Sequence, residues 1–387
     1  MKKAKYATNY KKTKGRLYSE PESEYRNPFQ RDKDRIIHSE HFRLLKHKTQ
    51  VFLAHTEDYY RTRLTHSLEV SQIARTIARI LSVDEDLAEV LALSHDLGHP
   101  PFAHSGEEVL DECMKDFGGF DHNIQTLKIV TSLEKRYPNF NGLNLSWETL
   151  EGILKHNGPI KDYKAKSPKG FFISSYIKGH DLEIQTFPGL EAQIASLSDD
   201  IAYNNHDIDD GFRAKKFRIK DLCEIEIIDR IYHDIISEYT NLDEFMIVQE
   251  IVRRLIGFMV NDLILETQKN LDNLKPKKVS DIRNHDKPIA MFSDNMKFQD
   301  KELKNFLIKR VYTHSSMEAD RDLSRKVIKE LFNFLIENIN LLPNHLKILC
   351  QNNSKSNNAY IICDYIASMT DRSATANHAK IINNQKL

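Results

Sequence analysis

Apolar residues in this chain return at intervals of three and four far more often than they alternate, and that period commits the polypeptide to helices. Leu64, Leu68, Val70, Ile73, Ala74, Ile77 and Leu81 form one such stripe, so a helix opening at RLTHS is expected there. Glycine and proline, which interrupt helices, number only 13 and 11 in 387 residues. The expectation is an all-α protein. Its length allows one large domain or two to three small ones, at roughly 100 to 200 residues each.

Charge and cysteine content narrow the setting. Lysine plus arginine equals aspartate plus glutamate, 56 each, so the whole chain offers no general attraction to nucleic acid or anionic membrane. Cys113, Cys223, Cys350 and Cys363 are dispersed without a CxxC pair, which argues against a disulfide framework or a thiolate zinc site and suits a reducing compartment. Met1 to Arg16 is rich in lysine, but no apolar segment follows, so it does not read as a secretory signal. No stretch approaches transmembrane length. The expectation is a cytoplasmic protein with a basic flexible arm at 1–26, to which no role is given.

Along the chain, Ile36, Ile37, Phe42, Leu44, Leu45 and Val51 sit among basic residues as in amphipathic helices. Asp84 is a candidate N-cap for a helix whose Leu87, Val90, Leu91 and Leu93 lead to His95 and Asp96, before Gly98 and Pro100-Pro101 stop it. Ser105 and Glu108 form a capping-box signature that starts the next helix after HPPFAH. From about 157 to 188 the period is lost, and a long loop or lid is expected. Leu190, Ile194, Leu197 and Ile201 restore it, setting Asp199, Tyr203 and Asp207 on the other face of one helix, toward one cavity. Further helices are expected at about 221–239, 243–271, 300–314, 320–339 and 358–369, with no internal repeat and no sharp linker.

The chemistry lies in a pattern H…HD…D, formed by His66, His95, Asp96 and Asp199. Imidazole nitrogens and carboxylate oxygens hold divalent metals, and a catalytic site keeps positions open for water and substrate. An HD dipeptide alone says little. Here it stands in SHDLGHPPFAHSGEE, where three histidines and two glutamates crowd a Gly and Pro-Pro turn; a surface loop with capping histidines is the alternative.

The segments FRLLKHKTQVF, RTRLTHSLEV, SHDLGHPPFAHSGEEVLDE, FDHNIQTLKIV, LKHNGP, EAQIASLSDDIAYNNHDIDDGFRA and DYIASMTDRSA, in this order, resemble the HD-domain deoxynucleoside triphosphate triphosphohydrolases, commonly called dGTPase-like. They span about residues 28 to 376. The resemblance implies an HD-domain helical core (27–215) and an appended helical C-terminal region (216–387) that completes the substrate pocket. It implies water attack on the α-phosphorus, releasing deoxynucleoside and inorganic triphosphate.

Carried over by position, His66, His95, Asp96 and Asp199 match the metal ligands, while His104 and Glu107 match the catalytic pair. His99 and His122 match positions near the phosphates, Arg63 the α-phosphate arginine and Gln50 the reader of the sugar 3′-hydroxyl. Tyr203 and Asp207 satisfy the family spacing from Asp199 and face the nucleoside; that spacing selects Asp199 over Asp200. Tyr312 in KRVYTH matches a contact to sugar or base. Lysines in 161–178 are candidates for neutralising the outer phosphates. Ser198, where alanine is usual, and Ser368, where glycine is usual, depart from the pattern without removing a chemical group.

The resemblance also implies one divalent ion, Mn2+ or Mg2+ in an assay with Fe, Co, Ni and Zn as alternatives, and a homo-oligomer. An activating nucleotide and a nucleic-acid partner stay open. The competing readings are an HD-type phosphodiesterase or phosphatase, a single-strand DNA exonuclease, and a non-catalytic nucleotide sensor.

Overall fold

Side-chain caps set the starts of the first helices. Asn27 accepts from the backbone nitrogens of Phe29 and Gln30 at the head of α1 (Pro28–Ile37), and Ser39 caps α2 (Glu40–Leu44). Thr62 caps α3 (Arg63–Ile80), and Asp84 accepts from Leu87 N at 3.1 Å to cap α4 (Glu85–Ser94), as its sequence position suggests. Then follow α5 (Ala103–Cys113), α6 (His122–Lys128), α7 (Trp147–Leu154), α8 (Pro168–Gly179) and α9 (Leu190–Arg213). The computed structural model describes residues 3–52, 59–161, 168–351 and 354–384, and no β-strand occurs among them. The fold is all-α. Helices α3, α4 and α9 pack on one another and bury Ile73, Ile77, Leu91, Leu93, Ile194 and Ile201 in the principal core.

The second half continues with α10 (Ile219–Leu222), α11 (Glu226–Glu238), α12 (Glu244–Leu274), α13 (Val279–Arg283) and α14 (Asp294–Leu307), which runs into a π-turn at Ile308–Tyr312. The last helices are α15 (Glu318–Glu337), α16 (Asn344–Cys350), α17 (Lys355–Ala367) and α18 (Asp371–Asn384). A second apolar cluster joins Val109 and Leu110 of α5 to Val327 and Leu331 of α15, Ile362 and Ile366 of α17, and Ala374 of α18.

Three expectations change. The N-terminal segment is not a free arm over its described length. Thr8 donates to Glu191 through both its amide (2.8 Å) and its hydroxyl (2.7 Å), Ala7 and Thr8 are buried, and Trp147 N donates to Gly15 O at 2.8 Å. The attachment is polar and therefore invisible to a search for apolar period. Second, α5 begins at Ala103 and not at Ser105, because Phe102 adopts a left-handed conformation (φ 65°) with its amide donating to Asp371 Oδ1 at 2.9 Å. The partner lies 269 residues away, beyond any local capping rule. Third, the segment read as a loop or lid contains α8; its residues 162–167 lie outside those described.

Two buried polar links tie the C-terminal helices to the segment before α3, and one of them also reaches the turn after α4. Asp371 Oδ2 accepts from Thr49 N at 2.9 Å, and Lys48 Nζ donates to the carbonyls of His99 (2.5 Å) and Ala367 (2.8 Å). Burial lowers Lys48 to about 7, with Arg63 adding repulsion. Between that value and its ordinary 10.5 the unfolded chain holds more protons than the folded one, so stability conferred by Lys48 rises with pH. Wild type should therefore gain stability over Lys48→Met as pH climbs from about 7 to 10, read as a widening difference in urea midpoint.

Candidate metal centre and substrate pocket

The centre draws on three helices. Helix α3 presents Arg63 and His66 on its first turn, the C-terminal end of α4 presents His95 and Asp96, and α9 presents Asp199. Ligand atoms of His66, His95 and Asp96 lie within 4.8 Å of one another, and all three residues are buried. Asp199 Oδ1 stands 2.8 Å from His66 Nε2 and 3.5 Å from His95 Nε2. Asp200 points elsewhere, pairing with Lys304 at 2.9 Å.

His95 Nδ1 donates to the Ala92 carbonyl at 2.7 Å, which leaves Nε2 aimed into the cluster. That buried nitrogen has no hydrogen-bond partner. Burial works against charge on Asp96, but the Arg63 guanidinium, 2.9 Å away, and the neighbouring imidazoles overcome it and hold the carboxyl at about 2. Asp199 also lies well below its ordinary value, because His95 and its hydrogen bonds outweigh desolvation. Burial likewise opposes charge on His95, yet the two carboxylates raise it to about 9. This pocket of two carboxylates demands positive charge, and two imidazoles with two carboxylates suit a divalent ion of the Mn, Fe, Co, Ni or Zn type.

Gly98 sets the geometry next door. A Cβ there would stand 2.1 Å from the His122 carbonyl and 2.3 Å from Thr126 N, so only glycine lets the N-terminus of α6 approach this closely. The approach stacks His122 on His99 with ring centroids 3.9 Å apart. Sequence reasoning pairs Glu107 with His104, but the hydrogen bonds of Glu107 go to His122, from Nδ1 at 2.7 Å and from N at 3.1 Å. His104 Nδ1 remains 3.7 Å from Glu107 Oε2, in a side chain 60% exposed. These imidazoles overcome burial to hold the Glu107 carboxyl well below its ordinary value. Burial, with Arg63 beside it, drives His99 well below its own. Arg63 spends one nitrogen on Asp96, while its Nε and Nη2 are buried without partners.

Beside this cluster opens a cavity of about 510 Å³, lined by Gln50, His104, Asp200, Tyr203, Lys304 and Tyr312 among others. Gln50 Oε1 is buried and unpartnered. The π-turn swings Tyr312 toward Tyr203, with centroids 6.4 Å apart, and its hydroxyl donates to Asp207 Oδ2. Asp207 therefore stands behind Tyr312 and does not line the cavity; burial pushes its carboxyl well above the ordinary value. The sequence pattern does not single out His156, although LKHNGP contains it. Its Nε2 lies 3.5 Å from Asp199 Oδ2 and its ring stacks on His95, centroids 5.6 Å apart.

Residues 63–204 match the HD domain family, and residues 290–380 match the phosphohydrolase-associated domain family. A deoxyguanosinetriphosphate triphosphohydrolase-like protein of Parvibaculum lavamentivorans is 48% identical, over 98% of this chain and 96% of that protein. Proteins of the same name are 48% identical in Brucella canis (98% and 95% covered) and 47% in a Caulobacter species (98% and 96% covered). The chain belongs to this family. HD domains bind divalent metals, so the family accounts for a buried cluster that carries carboxylates in excess of fixed cations. No helix among the described residues is long and apolar enough to cross a membrane.

After EDTA treatment, added Mn2+ should raise the melting temperature, by the equivalent of about 2.7 kcal/mol at a hundredfold excess over Kd. Asp199→Ala should abolish that rise and Asp200→Ala should retain it. The reverse outcome in a thermal-shift titration would exchange the two residues' places.

Proposed function

We propose that the protein hydrolyses deoxynucleoside triphosphates, dGTP or dNTPs generally, to deoxynucleoside and inorganic triphosphate. The observation that carries this reading is the adjacency of a buried His66–His95–Asp96 cluster with Asp199 at its edge, free Arg63 donors and a tyrosine-walled cavity. The dGTP triphosphohydrolase-like relatives support the substrate class.

The residues suited to hold the ion are His66, His95, Asp96 and Asp199. A divalent ion bound there supplies a Lewis acid for an α-phosphate oxygen and lowers the pKa of the attacking water. Arg63, with Nε and Nη2 unspent, grips the α-phosphate in the planar fork that guanidinium offers an anion. His99 and His122 face the phosphate chain. Lys161 is a candidate for neutralising the outer phosphates, while Lys164 and Lys166 lie outside the described residues.

The deoxynucleoside lies in the cavity, its 5′-oxygen toward His104. That imidazole gives the leaving oxygen its proton, and Glu107 closes from 3.7 Å onto His104 to keep the ring charged when substrate arrives. Tyr203 presses under the sugar and leaves no room for a 2′-hydroxyl, while Gln50 offers its unpartnered amide oxygen to the 3′-hydroxyl. Tyr312, held by Asp207, closes the far side. We place the protein in the cytoplasm as a homo-oligomer.

Incubation with each dNTP, followed by product identification, should yield triphosphate and deoxynucleoside in equal amounts; pyrophosphate, orthophosphate or a nucleoside monophosphate would refute the assignment. His104→Ala should lower kcat by about 10² to 10⁴ while keeping the metal-dependent rise in melting temperature. Ribonucleotides should be poor substrates for wild type and better ones for Tyr203→Ala, measured as the ratio of kcat/KM values.

A further inference from the structure

Behind His66, on the side away from the cavity, a second imidazole is buried for which the proposed chemistry has no use. His206 lies on α9, seven residues after Asp199, and is 1% exposed. Its Nδ1 is 3.1 Å from His66 Nδ1, with the two rings edge to face at 5.3 Å between centroids. Its Nε2 contacts Glu69 Oε2. Glu69 is steadied by Arg61 at 3.3 Å, and Arg61 is itself fixed by Asp209 and Asp210, each at 2.8 Å.

The proton positions in this chain are not free. Two ring nitrogens at hydrogen-bond distance share one proton, so one donates and the other accepts. An ionised carboxylate only accepts. His206 therefore carries its proton on Nε2, toward Glu69, and presents a lone pair at Nδ1. With an ion in place of a proton between His66 Nε2 and Asp199 Oδ1, now 2.8 Å apart, His66 would donate from Nδ1 and keep its Nε2 lone pair toward His95, Asp96 and Asp199. We infer that Glu69 and His206 are positioning residues that lock His66 into the tautomer able to ligate a metal ion. The carboxylate, in ionic contact with His206 Nε2, sets the direction of the hydrogen bond between the two rings, through an intervening imidazole where a metal-bound histidine commonly meets the carboxylate directly.

The test reads metal binding and not turnover, so it stands or falls apart from any choice of substrate. Purified, metal-stripped protein is titrated with Co2+, with d–d absorption and calorimetry as readouts. Glu69→Gln keeps shape and hydrogen-bonding capacity but loses the group that can only accept, and its Co2+ affinity should fall about 10- to 100-fold. His206→Leu should fall at least as far, and His206→Asn, which restores an acceptor near the Nδ1 position, should recover part of the loss. Histidine ¹⁵N shifts of Zn2+-loaded wild type should place the His66 proton on Nδ1. Co2+ affinity of Glu69→Gln within twofold of wild type, with its circular dichroism unchanged, would overturn the inference; so would a His66 proton found on Nε2 in the loaded protein.

Discussion

The ion pair between Arg63 and Asp96, 2.9 Å apart and almost wholly withdrawn from water, is the interaction around which this molecule is arranged. Taking two such charges out of solvent is costly, and the pair is tolerable only where further partners surround it. Those partners come from separate elements: His95 beside Asp96, His99 one turn on, and His66 one turn along α3 from Arg63. Helices α3, α4 and α9 must therefore pack closely at these ends, and their apolar faces make that packing favourable. Even so the site is electrostatically unfinished. Arg63 keeps two donors without acceptors, and His95 Nε2 has no hydrogen-bond partner. Buried polar groups are rarely left so, and several together in one cluster mark a place meant for a cation on one side and an anion on the other.

Much of this was legible in the sequence because helical period survives translation into packing. The stripe from Leu64 to Leu81 became α3, the Asp84 cap became the start of α4, and the second face of the 190–213 helix carried Asp199 and Tyr203 where the spacing places them. What escaped was set by distant partners. Phe102 turns left-handed because Asp371 holds its amide, and Glu107 chooses His122 because Gly98 lets α6 come near. Thr8 is anchored by a carboxylate on α9. Asp207 has the spacing of a pocket residue, yet the π-turn interposes Tyr312 between it and the cavity. A one-dimensional pattern reports which face a residue shares, but not which neighbour arrives to cover it.

The C-terminal helices are part of the site and not an appendage. Lys304, Tyr312, Asp320, Arg321 and Ser324 line the cavity together with Gln50, His104 and Tyr203. Asp371 grips the backbone of both Thr49 and Phe102, the residues just before Gln50 and just before the helix that carries His104. One carboxylate thus sets two walls relative to each other.

Exposure grades along the same line. The side chains of His66 and Asp96 are 0% and 5% exposed, Asp199 25%, and His104 60%. The order suits the roles proposed for these residues. Metal ligands gain from low dielectric, where their charges act strongly and water does not compete for the ion. A proton donor has the opposite need, because after each turnover it must recover a proton from bulk solvent. His104 stands on the first turn of a helix whose start is pinned by Asp371, so its backbone is fixed while its ring reaches water. Fixity below and access above suit this imidazole to the proton-donor role proposed for it.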